Sequence, residues 1–168
     1  LAGTFGELRN NHFHAGIDIK TNRRTGLPVY ATADGYISRI KVAIWGYGKV
    51  IYINHSNGFT TVYAHLNKFG NGIQEYVKSI QYEKKSYETG NIFLKENQIK
   101  VTKGQIIGYS GRTGGFVEPH LHYEIRNTKT EKIINPLLLG IKIQDSIAPK
   151  IKKLIAYPMD SDSRINRS

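Results

Sequence analysis

Lys49-Val50-Ile51-Tyr52-Ile53-Asn54-His55-Ser56-Asn57-Gly58-Phe59-Thr60-Thr61-Val62-Tyr63-Ala64-His65 reads as two strands joined by a tight turn. Lys49 to Asn54 is a run of β-branched and aromatic residues, the pattern of a strand buried on both faces. Asn57-Gly58 supplies the positive φ angles of a short hairpin, and Phe59 to His65 is the returning strand. The same rhythm extends outward. Upstream, residues 1–20 are extended, Thr21 to Gly26 is a polar basic turn, and Val29 to Ala33 and Tyr36 to Val42 are strands separated by Asp34-Gly35. Gly46-Tyr47-Gly48 is a tight connection into the hairpin. Downstream, Ile99 to Val101 and Gln105 to Tyr109 flank a turn at Lys103-Gly104, Ser110 to Gly115 is a glycine-bearing loop, and Leu121 to Arg126 is the last core strand. Asn135-Pro136 closes the unit. Many short strands with turn residues between them predict an all-β domain, an antiparallel sandwich or barrel-like structure.

Two segments break the pattern. In residues 70–98, Ile73, Val77 and Ile80 fall at helical spacing among Glu75, Lys78, Glu83, Lys84 and Lys85, which predicts a helix over Gln74 to Tyr87 inside an insertion. After about Gly140, Asp145 to Pro149 reads as a linker, Ile151 to Tyr157 as a strand, and Asp160 to Ser168 as a polar tail. The expected organisation is one domain over 1–140, and a linker with the truncated start of a second module over 141–168.

The chain has 168 residues, enough for one domain with a real core. It has no cysteine, so neither disulfides nor thiolate chemistry contribute. Its formal net charge of +11 favours anionic partners such as anionic cell-wall polymers. The Lys and Arg residues are scattered and no base-stacking motif accompanies them, so nucleic acid is not an expected partner. No apolar run reaches membrane-spanning length. The chain opens at Leu1, consistent with a processed piece whose export signal is not in this sequence.

The chemistry-bearing residues are histidines and one aspartate. In Pro119-His120-Leu121-His122-Tyr123-Glu124, strand alternation puts His120, His122 and Glu124 on one face, with the two imidazoles about 6.6 Å apart along the axis. Such a pair either shares one metal ion or divides its work between the ion and a nearby water. In His12-Phe13-His14-Ala15-Gly16-Ile17-Asp18, His14 and Asp18 would stand about 13 Å apart on a straight strand. A kink near Gly16 would bring them together. His12 has the same two-residue relation to His14, and spacing does not choose between them. Imidazole nitrogens with a carboxylate are the donors of a catalytic zinc site, in which three protein ligands leave a fourth position for water.

Phe13-His14-Ala15-Gly16-Ile17-Asp18 resembles the His-x-x-x-Asp motif of the lysostaphin/LytM-type zinc metallopeptidases, peptidase family M23, and His120-Leu121-His122 resembles that family's His-x-His motif. Between them Pro28 to Ala31 with Asp34-Gly35, Gly46 to Gly48, Tyr63 to Leu66 and Lys103 to Gly111 resemble further family blocks in family order. The likeness covers roughly residues 5–139 apart from the insertion. It implies that His14, Asp18 and His122 bind one Zn²⁺ ion and that His65 and His120 are the catalytic histidines. It also implies that His12 is not a ligand. His55 is read as a turn or surface residue, and Glu124 as a structural or supporting group. The implied activity is an endopeptidase that cuts peptide cross-links or bridges of bacterial peptidoglycan with a metal-activated water, in the periplasm or outside the cell.

The sequence departs from the family in its insertion and in Phe116-Val117-Glu118-Pro119 before the His-x-His motif, where small residues are usual. Neither departure touches a ligand position. One alternative is a catalytically silent module of the same fold that activates another wall hydrolase. Another is a biotin- or lipoate-carrying barrel, but that requires an acceptor Lys in a Met-Lys-Met or Asp-Lys-Ala setting, and neither occurs here.

Overall fold

The structure, a computed structural model, describes residues 1–9, 12–70, 72–96, 98–115, 118–141 and 155. The expected linker, strand and tail beyond residue 141 fall outside the described residues apart from Ile155, as do Phe116 and Val117.

Eleven strands and one α-helix follow in chain order: β1 (Ile17–Lys20), β2 (Pro28–Tyr30), β3 (Gly35–Val42), β4 (Lys49–Asn54), β5 (Phe59–Ala64), β6 (Lys68–Phe69), α1 (Ile73–Lys84), β7 (Gly90–Phe93), β8 (Lys100–Val101), β9 (Ile106–Tyr109), β10 (His120–Asn127) and β11 (Ile133–Ile134). A 3₁₀ turn at Pro136–Leu139 ends the described domain, capped by the Asn135 side chain. The large sheet runs β1-β10-β5-β4-β3-β7, with β11 added to β10 and β8 to β3. A small sheet, β2-β9-β6, faces it. All pairings between these strands are antiparallel. The fold is therefore all-β, with two sheets and no closed barrel among the described residues.

The hairpin over residues 49–65 forms the centre of the large sheet, as its pattern predicts. Ile51, Ile53 and Tyr63 turn to the main core, where they meet Ile17, Tyr123 and Ile125 and, from the small sheet, Val29, Phe69 and Ile107. Val50, Tyr52, Val62 and Ala64 point the other way and form a second apolar cluster with Tyr47. Both faces of β4 are thus covered, which explains its unbroken apolar run.

The helix in the insertion begins and ends close to the predicted limits. Gly72 donates its backbone N–H to Glu75 Oε2 at 2.6 Å, and Lys85 ends the helix in a left-handed conformation. Ile73 and Val77 dock it on the main core. The insertion also holds a strand that sequence periodicity misses. β7 has only one buried residue in four, and it forms because β3 presents an open edge to it. His55 is not a surface residue. It is buried, with Nδ1 against Asp34 O at 2.7 Å and Nε2 against Thr61 Oγ1 at 2.8 Å, so it ties the β4–β5 hairpin to the turn before β3.

Gly16 sits where the chain turns into β1. A Cβ there would overlap the Tyr123 carbonyl oxygen and press on Glu124 Cγ. Gly16→Ala is expected to push β1 off β10 and to lower stability by about 1–3 kcal/mol, the usual range for overpacking, as measured by chemical denaturation.

Candidate metal centre and its cleft

Strand register builds the site. Asp18 of β1 lies directly across from His122 of β10, and His122 lies across from Ala64 of β5. The chain leaves β5 at His65, which adopts a positive φ of 59° and so turns away from the strand direction. His120 heads β10 opposite Lys20. His14 precedes the Gly16 turn and is held by the N-terminal segment: its N–H donates to Glu7 O at 2.8 Å, and its carbonyl accepts from Gly6 N at 2.9 Å. The structure thereby brings together all five residues singled out in the sequence. They line one cleft of about 670 Å³, together with Leu8, Arg9, His12, Ala15, Gly46 and Tyr47.

Three atoms meet at the floor of this cleft. His14 Nε2 is 3.1 Å from Asp18 Oδ1 and 3.0 Å from His122 Nδ1, and His122 Nδ1 is 3.0 Å from Asp18 Oδ1. All three residues are buried, and together they could hold a metal ion. Ligand bonds of about 2.0–2.1 Å place donor atoms roughly 3.3 Å apart around a tetrahedral ion, so the triangle has the right scale.

The protons support the same conclusion. His14 Nδ1 is 2.7 Å from Thr4 O, a carbonyl that only accepts, so Nδ1 carries the hydrogen and Nε2 is left with a lone pair. His122 Nε2 is 2.8 Å from Glu124 Oε1. Burial pushes the Glu124 carboxyl up, but hydrogen bonds from His122 and Arg126 outweigh it and hold its pKa at about 2. Glu124 is therefore ionised, His122 carries its hydrogen on Nε2, and Nδ1 is the lone pair. Asp18 Oδ1 is the third acceptor. Burial raises the Asp18 pKa, yet the His122 and His14 contacts dominate and leave it well below the ordinary carboxylate range. Three acceptors facing one another with no hydrogen between them need a cation or a proton. Burial pushes the His122 pKa down, but its hydrogen bonds with Asp18 and Glu124 outweigh this and raise it.

His65 and His120 stand on the cleft side of this triangle. Their ring centroids are 4.7 Å apart, and His65 is 5.7 Å from His122. Nδ1 of His65 donates to Thr113 O at 2.9 Å, and Nδ1 of His120 to Glu118 O at 2.9 Å, so Nε2 of each is the basic nitrogen. His120 Nε2 lies 3.8 Å from Asp18 Oδ1. Burial, followed by the neighbouring His120 and His122, lowers the His65 pKa to about 3 and keeps that ring neutral.

Behind His122, Glu124 is fully buried and also accepts from Tyr47 Oη and, at 2.7 Å, from Arg126 Nε. Sequence spacing put Glu124 on this face; it gave no sign of its partners Tyr47 and Arg126, which come from a loop and from two residues further along β10. Arg9 was missed as well. Its Nη2 donates to Asp18 Oδ2 at 2.8 Å.

Comparison with known proteins agrees with the geometry. The pattern of Peptidase family M23 matches residues 12–82 and 84–136. The chain belongs to peptidase family M23. This M23 domain is 38% identical over 119 residues to the DD-carboxypeptidase/endopeptidase Mpg of Neisseria meningitidis, a match covering 71% of the chain and 21% of the relative. It is 29% identical over 143 residues to the peptidoglycan DD-endopeptidase ShyA of Vibrio cholerae, covering 84% of the chain and 27% of the relative. Among solved structures, the catalytic domain of lysostaphin from Staphylococcus simulans superposes with a TM-score of 0.56 at 26% identity, covering 82% of this chain and 86% of that one. The M23 domain thus spans between a fifth and a third of the length of these curated relatives. M23 proteins are metallopeptidases, and the His14–Asp18–His122 group fits a metal.

Glu124→Gln would remove the ionised acceptor that fixes the His122 tautomer. Metal affinity, read by competition with a chromogenic chelator, is expected to fall about 10–100-fold.

Proposed function

We propose that this M23 domain is a zinc-dependent endopeptidase of the bacterial cell envelope that hydrolyses peptide bonds in peptidoglycan. The observation that carries the reading is the triangle of three potential ligand atoms, His14 Nε2, Asp18 Oδ1 and His122 Nδ1, within 3.1 Å of one another at the base of an open cleft. The activities of its relatives, the DD-carboxypeptidase/endopeptidase Mpg and the peptidoglycan DD-endopeptidase ShyA, support peptidoglycan as the substrate class.

In this reading His14, Asp18 and His122 would hold the zinc ion. Zinc bound there would supply a water acidified to a pKa near 7 and a Lewis-acid contact for a carbonyl oxygen. The protein's own residues do the rest. Asp18 offsets part of the cation's charge. Glu124, anchored by Arg126 and Tyr47, keeps His122 in the tautomer that presents Nδ1. Thr113 O and Glu118 O hold Nδ1 of His65 and His120, so Nε2 of each would be the nitrogen that exchanges protons. One of the pair would accept the proton of the attacking water on Nε2; the other, having taken a proton on Nε2 from solvent, would donate a hydrogen bond to the carbonyl oxygen as negative charge develops on it. Both rings are attached to fixed backbone carbonyls, so little reorganisation accompanies these transfers.

Two substitutions separate the roles. His122→Ala is expected to abolish stoichiometric zinc binding. His120→Ala is expected to retain zinc but lower turnover of purified peptidoglycan by about 10²–10⁴-fold. Zinc is measured by atomic absorption and the released peptide ends by mass spectrometry. Equal metal loss in the two variants would contradict this division of labour. Full zinc loading of the parent protein with no released ends would favour a silent, partner-activating module.

A further inference from the structure

A second recess, of about 140 Å³, opens on the same face of the large sheet as the metal cleft. Arg126 of β10 shares a side with His122, four residues before it. Thr60 of β5 and Asn54 of β4 continue its row, and Tyr52 of β4, Arg39 of β3 and Phe93 of β7 stand in the next. The insertion therefore supplies one wall, the exposed Phe93 ring. The floor is polar and already ordered: Asn54 Oδ1 accepts from Ser38 Oγ at 2.8 Å and from Thr60 Oγ1 at 2.7 Å.

Two guanidiniums converge at this recess. Arg39 Nη2 donates to Glu131 Oε2 at 3.1 Å, and Arg126 Nη1 donates to the same oxygen at 3.2 Å. Both stand beside the buried Tyr52 ring, with Cζ 3.8 Å and 5.6 Å from its centroid. The two arginine side chains are 16% and 15% exposed, whereas that of Glu131, on the turn after β10, is 55% exposed. The cations are thus the fixed members of the clamp and the carboxylate is the exchangeable one. An ion pair with so exposed a partner contributes little, so a competing carboxylate can replace it. Arg126 is matched a second time, by Glu124 Oε2 on Nε at 2.7 Å. Glu131 is the one acid among the described residues that line the recess. With Glu131 displaced, the charge of Arg39 calls for another anion.

Distance and continuity relate this clamp to the metal centre. Arg126 lies about 13 Å along β10 from His122, four residues at the strand rise. Extended peptide covers that distance in about four residues. The bond from Arg126 Nη2 to Tyr47 Oη, at 3.3 Å, joins the wall of the recess to that of the metal cleft, which Tyr47 lines. We propose that Arg39 and Arg126 form a second substrate subsite, which takes a carboxylate of a peptidoglycan peptide in place of Glu131, about four residues' length from the metal centre. This deepens the proposed function and takes the identity of the peptide from it, while carboxylate binding itself needs no turnover. Stem peptides of peptidoglycan carry free carboxyl groups, so the substrate class contains the ligand. Arg39 is thus a specificity-determining residue that acts at a distance from the bond to be cut.

The test uses the zinc-loaded, ¹⁵N-labelled chain and two probes: the stem pentapeptide L-alanyl-γ-D-glutamyl-L-lysyl-D-alanyl-D-alanine, and the same peptide with both free carboxyls amidated. Binding to the parent protein, Arg39→Gln and Glu131→Gln is followed by amide shifts, with zinc content measured in each. The acid is expected to bind the parent more tightly than the amide and to shift residues 127–131. Arg39→Gln is expected to weaken the acid about tenfold more than the amide, the scale of one charge-assisted hydrogen bond. Glu131→Gln removes the resident carboxylate and should tighten the acid while leaving the amide unchanged, a gain that a folding defect does not produce. No measurable binding of the acid, equal affinity for the two probes in the parent, acid-induced shifts confined to the metal cleft, equal weakening of both probes in Arg39→Gln, or no tightening in Glu131→Gln would overturn the subsite. The same preparations are then incubated with purified peptidoglycan. An intact acid preference without released peptide ends would overturn the proposed hydrolysis and leave the subsite standing. Released ends without an acid preference would do the reverse.

Discussion

Side chains alternate across a strand, so sliding β1 by one residue against β10 would turn Asp18 to the core and place Ile17 or Ile19 before His122. The register is fixed from both sides. Ile17 and Tyr123, paired across the two strands, are both buried in the main core. Gly16 lets β1 approach β10 where any side chain would hold them apart. The hydrophobic face thus sets the position of the polar one. β10 joins the two halves of the site, because β1 brings Asp18 to one side of it and β5 delivers His65 on the other.

A second constraint acts on protons. Each of the four imidazoles at the site has its outer nitrogen bound to a fixed acceptor: Thr4 O, Glu124, Thr113 O and Glu118 O. Three of these are backbone carbonyls, which cannot change protonation state. The inner nitrogens are therefore the ones that present lone pairs to a cation. Glu124 is the exception, a charged acceptor with no exposed surface, and it persists there because Arg126 and Tyr47 satisfy the rest of its oxygens.

What the sequence revealed follows the range of the interactions. The 49–65 hairpin and the 120–127 strand were legible because burial on a strand has a period of two, and the same period put His120, His122 and Glu124 on one face. The pairing of His14 with Asp18 needed a bend, and Gly16 marked its place. β7 was not legible: Gly90 and Asn91 carry no strand signal, and only the open edge of β3 makes them extended. Nor was Arg9. Its role depends on the N-terminal segment folding back over Asp18, and no spacing rule links positions 9 and 18. His55 was misjudged because its neighbours Ser56, Asn57 and Gly58 announce a turn, while its burial comes from Asp34 and Thr61.

The borders of the large sheet have a further consequence. Along β1, backbone bonds from Ala2 and to Gly3 cover the outward side of Asp18, and β11 occupies the remainder of the β10 edge. At the opposite border, β7 and β8 divide the length of β3 between them, and each is short. Among the described residues the sheet exposes no long, flat rim to which the strand of another molecule could be added. A domain rich in β-branched residues is thereby guarded against edge-to-edge aggregation by the same N-terminal segment that shelters its cleft.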